Sequence, residues 1–264
     1  MRIVSLNAWG GTQFEELATW LALCDADVLC LQEVTRTPGC TGWTRFEDGA
    51  RSLPQRANLF DDVKAVLPGH QAFFLASDAG PVVHAEGERR TQDFGLAVFV
   101  RDRVPVVGHA SSFVHGHFVD HEEWPVDGRP RIAQGVRLAD RDGGRLVTVV
   151  HLHGLRDSSG KADTPARRAQ ADRLARLVTS LREPQDLTVV CGDFNLLSTS
   201  TTFAVLGRLG LTDLVGQSST RTRLYPKDTR HANYLLVSDV TAVQRFRILD
   251  DPVVSDHCAL MLDV

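Results

Sequence analysis

Two β-sheets packed face to face, with helices outside them, is the α/β architecture the sequence predicts, and three observations carry it. Short apolar, β-branched runs recur along the whole chain, and amphipathic helical segments separate several of them. Arg131–Leu138 and Arg145–His153 are joined by Asp140-Arg141-Asp142-Gly143-Gly144, a turn cluster that signals an antiparallel hairpin. The hairpin breaks a purely parallel reading, so two packed sheets are favoured over a doubly wound single sheet.

Each element has its own signal. Met1–Leu6 is an apolar strand, and Phe14–Leu23 follows with Phe14, Leu17, Trp20 and Leu21 on one helical face. Asp27–Val34 is nearly all apolar, the pattern of a strand covered on both faces. Ala57–Leu67 reads as a helix stopped by Pro68; Gln71–Ala76 and Gly95–Arg101 read as strands. His109–Pro130 is the main irregular stretch and a candidate substrate rim. Its His115, His117 and His121 have a spacing that fits no established metal site, so a solvated polar loop is the better reading. Thr164 is placed to cap a helix that has Pro165 in its first turn and runs to Leu181. Leu187–Phe194, a short helix over Thr201–Leu209, Ala232–Ser238 and His257–Val264 complete the pattern.

Composition narrows the class. The chain has 264 residues, 43% of them hydrophobic and 23% charged, which is ample for a buried core and far from disorder. The formal net charge of −4 does not by itself attract a polyanion, so a phosphate-bearing substrate must be held locally. Five scattered cysteines without a CxxC spacing argue against a disulfide framework or a zinc site. No run reaches the roughly 20 apolar residues of a membrane helix, and Met1–Leu6 passes directly into a strand without a signal-peptide pattern. The expectation is a cytoplasmic protein with no membrane insertion.

The chemistry is suggested where apolar strands end. Ser5-Leu6-Asn7, Leu31-Gln32-Glu33, His151-Leu152-His153, Cys191-Gly192-Asp193-Phe194-Asn195 and Ser255-Asp256-His257 close or open strands with carboxylates, amides and imidazoles instead of ordinary turn residues. A rigid sheet edge holds such groups in fixed relation while loops stay open to substrate. Hard oxygen donors without cysteine point to Mg²⁺ or Mn²⁺, for which Glu33 and Asp256 suffice as protein ligands. Asp193, Asn195, His151 and His257 supply the base, orienting group and phosphoryl donors that phosphoester hydrolysis needs.

In order along the chain, SLNAWG, LQEV, VVHLHG, GDFN and SDH resemble the endonuclease/exonuclease/phosphatase superfamily, the group that includes pancreatic-type deoxyribonuclease. The resemblance spans the chain and implies one catalytic domain over residues 1–264. It further implies a four-layer sandwich of two mixed sheets with outer helices, divalent-metal dependence and hydrolysis of a P–O bond by activated water. Position by position, Glu33 and Asp256 resemble the family's metal ligands, and Asn7 the amide beside them. Asp193 resembles the residue that activates water, and Asn195 the one that holds phosphate or assists the nucleophile. His151 and His257 resemble the phosphoryl donors, with His153 on the same strand face as a further candidate. Asn233 stands where the family usually has an aspartate partner for the terminal histidine, and an amide cannot stabilise an imidazolium by charge. That departure implies either a shifted pH optimum or an inactivating substitution.

Substrate is set by loops, which the resemblance does not choose. Arg168 and Trp124 are candidate substrate contacts, for phosphate and base respectively. A phosphodiesterase or nuclease acting on a nucleic-acid or nucleotide-like phosphoester is the first reading. A phosphomonoesterase or phospholipid head-group phosphatase on the same site is the second, and an inactive binding module the third.

Overall fold

The elements in chain order begin with β1 (Arg2–Asn7), α1 (Phe14–Leu23), β2 (Val28–Arg36), β3 (Trp43–Glu47), β4 (Ser52–Arg56), α2 (Leu59–Val66), β5 (His70–His84), β6 (Arg89–Arg101) and β7 (Val106–His115). They continue with β8 (Arg131–Asp140), β9 (Arg145–His153), α3 (Pro165–Leu181), β10 (Leu187–Asp193), α4 (Thr201–Gly207), β11 (Thr212–Asp213), β12 (Asn233–Val237), β13 (Arg245–Leu249) and β14 (Ala259–Asp263). A computed structural model describes residues 1–84 and 87–264.

The strands form two mixed sheets, one of eight in the order β13-β14-β1-β2-β6-β5-β3-β4 and one of six in the order β11-β12-β10-β9-β8-β7. In the larger, β1 and β2 are parallel and β14 is antiparallel to β1; in the smaller, β9 and β10 are parallel and β12 is antiparallel to β10. Alternate residues of β1 and β2 show how the layers stack. Ile3, Val28 and Cys30 face the smaller sheet, packing in one cluster with Val149, Val189 and Leu235. Val4, Leu6, Leu29 and Leu31 face outward onto Leu17 and Leu21 of α1 and Leu59 and Val63 of α2. Leu174, Leu177 and Val178 of α3 cover the smaller sheet's outer face. The result is the expected four-layer α/β/β/α sandwich.

Local chemistry sets the helix starts. Thr164 accepts a hydrogen bond from Arg167 N ahead of Pro165, Asn58 caps α2 and Ser200 caps α4. The stretch expected to be irregular from His109 onward begins instead as β7, the edge strand of the smaller sheet. Its alternating half-buried and exposed residues hide a strand under histidines and serines.

Gly192 explains one motif position on packing grounds alone. Its φ is +132°, and an added Cβ would lie 2.2 Å from the Leu152 carbonyl oxygen on β9. We expect Gly192→Ala to destabilise the fold by about 3 kcal/mol through strain and forced separation of β9 from β10, measured by chemical denaturation.

Candidate active site

Parallel strands end, and their antiparallel neighbours begin, at the same edge of the sandwich. Asn7 closes β1, His153 closes β9, Asp193 closes β10, Asn233 opens β12, and Asp256 and His257 immediately precede β14. Glu33 arrives by a different device. The β2–β6 register shifts between Gln32 and Val34, and the bulged Glu33 takes a positive φ of 56° that turns it out of the strand alternation. Asn195, at φ 54°, is held by its own N–H donating to Asp193 Oδ1 at 2.9 Å. Strained non-glycine backbone at two candidate site positions is the kind of distortion that packing maintains around functional groups.

One amide ties the two sheets together. Asn7 Nδ2 lies 3.0 Å from both Glu33 Oε1 and Asp193 Oδ2, while Asn7 Oδ1 accepts from Trp9 N at 3.0 Å. His153 Nε2 faces the same carboxylates, 3.7 Å from Glu33 and 3.8 Å from Asp193. His257 Nε2 lies 3.5 Å from Asp193 Oδ2 and 3.7 Å from Asp256 Oδ1. On its other side, His257 Nδ1 is 2.6 Å from Asn233 Oδ1, and Asn233 Nδ2 donates to the Cys258 carbonyl at 3.1 Å. That second bond fixes which end of the amide meets the ring, so Nδ1 carries the proton and Nε2 presents its lone pair to the site. Both histidines are held well below their ordinary value by burial. The guanidiniums of Arg131, Arg129, Arg221 and Arg51 add to the effect at His153, and Arg221, His153 and Lys161 add to it at His257.

The donor set fits a hard divalent cation. Ligand atoms of Glu33, His153 and Asp193 all lie within 4.8 Å of one another. Asp256 Oδ1 is buried without a hydrogen-bond partner among the described residues. Burial pushes Asp256 up to about 7; Arg221 pulls it back, and the Glu33 and Asp193 carboxylates add to the rise. Crowded carboxylates with an orphaned oxygen are what a bound cation would relieve. Asp256 Oδ2, however, is taken up by Arg221 Nη1 at 2.7 Å. Glu33 belongs to that closest group of potential ligand atoms, and Asp256 lies outside it.

Three expected contacts are placed elsewhere. His151 points into the same inter-sheet space as His153 but one step back, where its hydrogen bonds are already used. Nδ1 accepts from Gln32 Nε2 at 3.3 Å and Nε2 donates to Gln134 Oε1 at 3.2 Å. Burial, with His109 adding, pushes it down to about 3, so it is a neutral bridge between the sheets and is separated from the carboxylates by the register of β9. Trp124 is 5% exposed, donates Nε1–H to the Pro81 carbonyl and stacks on Arg129, which leaves no free face for a base. Arg168 is exposed on α3; its neighbour Arg167 is the buried one, donating to the carbonyls of Ala162, Leu155 and Gly160. Of the loop histidines, His121 faces Asp78 at 3.2 Å, within a buried Asp78–Arg129 pair.

Two cations were not singled out from sequence. Arg131 is 4% exposed, and its guanidinium donates to no acceptor among the described residues. Burial pulls it down to about 10, Arg129 adds, and the fields of Asp78, Glu33 and Asp193 pull it back up. Lys161 donates to the His231 carbonyl, and burial lowers it to about 8 against the fields of Asp193 and Asp256. Arg131 opens a strand that also carries Gln134, Arg137 and Asp140, so nothing local sets it apart, and Lys161, in a loop, has no signal either.

The chain belongs to the Endonuclease/Exonuclease/phosphatase family, which it matches over residues 4–257. It is accordingly a phosphoester hydrolase by family. Its fold is similar to that of a mannosyl-6-phosphatase from Bacteroides thetaiotaomicron, at TM-score 0.68 and 18% identity over 100% of this chain and 98% of that one. It is also similar to the human Nocturnin catalytic domain solved with a bound sulfate, at TM-score 0.66 and 20% identity over 100% and 92% of the two chains. A D. rerio TDP2 carrying humanising mutations superposes at TM-score 0.65 and 15% identity over 99% and 97%. No curated protein matches the chain in sequence. No helix among the described residues is long and apolar enough to cross a membrane.

Proposed function

We propose that the chain is a divalent-metal-dependent phosphoesterase whose first substrate class is a phosphodiester of nucleic-acid or nucleotide-like character. The observation that carries this reading is the single cluster of Asn7, Glu33, His153, Asp193, Asp256 and His257 at one sheet edge, with Arg131, Arg221 and Lys161 around it. A divalent cation, Mg²⁺ or Mn²⁺, would be held by Glu33 with Asn7 beside it and an Asp256 oxygen at its edge, and it would polarise a phosphoryl oxygen and offset leaving-group charge. Asp193 accepts the proton of the attacking water. Asn7 keeps the Asp193 and Glu33 carboxylates apart and oriented. His153, neutral and unspent, offers a ring nitrogen to a phosphoryl oxygen or to the cation, a role the sequence pattern gave to His151. Arg131 and Lys161 supply charge-assisted donors to the same oxygens.

Phosphomonoester hydrolysis is the second reading, favoured by Arg131, Arg221 and Lys161, whose three charges balance the Glu33, Asp193 and Asp256 carboxylates and would leave those of a bound divalent cation for a dianion. End-labelled oligonucleotides, bis(p-nitrophenyl) phosphate and p-nitrophenyl phosphate, each assayed with Mg²⁺, Mn²⁺ and chelator, separate the two. Cleavage of the diesters supports the first reading; cleavage of the monoester alone transfers the assignment to the second. Chelation lowers the rate by about 10²-fold or more and added metal restores it, if the site works as proposed.

Asn233 makes a further test. Asn233→Asp should raise kcat about tenfold, because a carboxylate at 2.6 Å stabilises positive charge on His257 where an amide dipole does so weakly. The gain is modest because the amide already enforces the productive tautomer. The same change sets a carboxylate oxygen against the Cys258 carbonyl with no proton between them, and should cost about 1–2 kcal/mol in denaturation. An unchanged or lower kcat would remove His257 protonation from the rate-limiting step.

A further inference from the structure

We propose that Gln170 of α3 is a positioning residue of the strand-end site, holding the Asn195 side-chain amide in place through the backbone of Leu155 and Gly154. The proposal rests on the phosphoesterase reading above. It starts from a change of character along one helix face. Leu174, Leu177 and Val178 of α3 are buried against the smaller sheet, but toward the helix start the buried positions become Ala171, Gln170 and Arg167. Gln170 and Arg167 are each 1% exposed and three residues apart, so they share that face. Polar side chains at such depth cost stability unless something there uses their hydrogen bonds.

What they engage is the loop that leaves β9. Leu155 is buried, and both of its backbone groups are taken by α3: its N–H donates to Gln170 Oε1 at 2.8 Å, and its carbonyl accepts from Arg167 Nη2 at 3.3 Å. Arg167 also donates to the carbonyls of Gly160 at 2.8 Å and Ala162 at 2.5 Å, which folds the rest of the loop back onto the helix. One residue earlier, both backbone groups of Gly154 are taken by the Asp193–Asn195 turn. Gly154 N donates to the Asp193 carbonyl at 2.6 Å, and the Gly154 carbonyl accepts from Asn195 Nδ2 at 3.3 Å. The approach leaves no room for a side chain, since a Cβ on Gly154 would lie 2.3 Å from the Phe194 carbonyl oxygen.

Leu155 and Gly154 therefore couple α3 to the turn that carries Asp193 and Asn195. The coupler sits directly past the last ladder pair of β9 and β10, His153 opposite Asp193. Its bond to Asn195 fixes the rotamer of that amide and the end of it that meets the backbone, at a residue whose φ of 54° its surroundings must maintain. Without the Gln170 acceptor, Leu155 N–H is released and Gly154 loses its anchor, while the Arg167 bonds to Gly160 and Ala162 keep the path of the loop. The disturbance is then local to Asn195, and rates depend steeply on such placement.

The test is a double-mutant cycle on the full chain. Gln170→Met keeps the length of the side chain and removes the acceptor; Gln170→Glu restores one, with a charge that Arg167, bonded to the same Leu155, can balance. Asn195→Gly removes the amide and tolerates the positive φ. With bis(p-nitrophenyl) phosphate and Mn²⁺, Gln170→Met should lower kcat about tenfold and change KM less than about twofold, and Gln170→Glu should recover kcat to within about threefold of wild type. In the Asn195→Gly background, Gln170→Met should alter kcat by less than about twofold, because residues that act as a unit are not additive. Thermal melts check that the fold is kept, and Gln170→Asn, whose arm is one methylene shorter, should repeat the pattern at smaller amplitude. A loss of equal size in both backgrounds makes Gln170 a structural residue and overturns the proposal, as does a kcat that Gln170→Met leaves unchanged. The ¹⁵N-resolved side-chain amide signals of Asn195, identified by their loss in Asn195→Gly, are read without turnover: they should shift in Gln170→Met and return in Gln170→Glu. Signals that stay in place overturn the proposal. A chain that cleaves no phosphoester but shows those shifts keeps the coupling and sinks the phosphoesterase reading instead.

Discussion

Replacing His153 with alanine should lower kcat on a phosphoester about 10²- to 10³-fold, whereas His151→Gln should change kcat by less than about threefold and cost stability instead. The two rings are two residues apart on one strand and share a face, yet their surroundings differ in kind. His153 Nε2 faces Glu33 and Asp193 at 3.7 and 3.8 Å, near enough for a cation or a phosphoryl oxygen to sit between them and too far for a direct hydrogen bond. Both nitrogens of His151 are engaged by the buried amides of Gln32 and Gln134, which leaves it nothing to give to a substrate. Its loss strands an amide donor and an acceptor between the sheets, at a cost of about 1–3 kcal/mol. Two measurements suffice: kcat of each variant, and its denaturation midpoint. Mn²⁺ affinity should also fall in His153→Ala and hold in His151→Gln. A large kcat loss confined to His151→Gln would return the role to the residue that the motif alone suggests.

That pair of histidines shows what the chain discloses locally and what it does not. Asn7, Glu33, Asp193 and Asp256 are visible because an acid or amide that interrupts or borders an apolar run has no packing reason to be there. The helix from Pro165 is visible because its cap and first-turn proline are local chemistry. The choice between His151 and His153 is nonlocal. Pairing of β9 with β10 sets His151 opposite Cys191 and His153 opposite Asp193, and a period-two pattern is the same for both. Edge strands were hidden for a related reason: β4 holds Pro54, β7 alternates with half-buried histidines and serines, and β13 alternates arginine with apolar residues. Partners outside their own segment stabilise all of them. Arg131 and Lys161 acquire meaning only once folding brings them to carboxylates far away in sequence.

Asp193→Asn should be the most damaging conservative change in the molecule, lowering kcat about 10³- to 10⁴-fold with the fold retained. Asp193 is where the two halves of the site meet. Its Oδ2 accepts from Asn7 Nδ2 and faces both His153 and His257, and its Oδ1 holds the turn to Asn195. An amide of the same shape preserves the turn through its own oxygen, so the Asn195 geometry survives. It then presents an N–H₂ group toward Asn7 Nδ2, two donors face to face, and the site loses its acceptor for the water proton. Removing a carboxylate also relieves part of the crowding that pushes Asp256 up to about 7, so Asp256 should titrate lower in the variant. Three readouts therefore separate: kcat falls steeply, the facing donors cost about 1–2 kcal/mol in denaturation without unfolding the chain, and the Asp256 carboxyl, followed by ¹³C NMR in the metal-free chain, titrates at lower pH. A steep fall in kcat accompanied by unfolding would make Asp193 a structural residue. A kcat within tenfold of wild type would move the proton-accepting role to His257, whose Nε2 lone pair faces the same position from the other side.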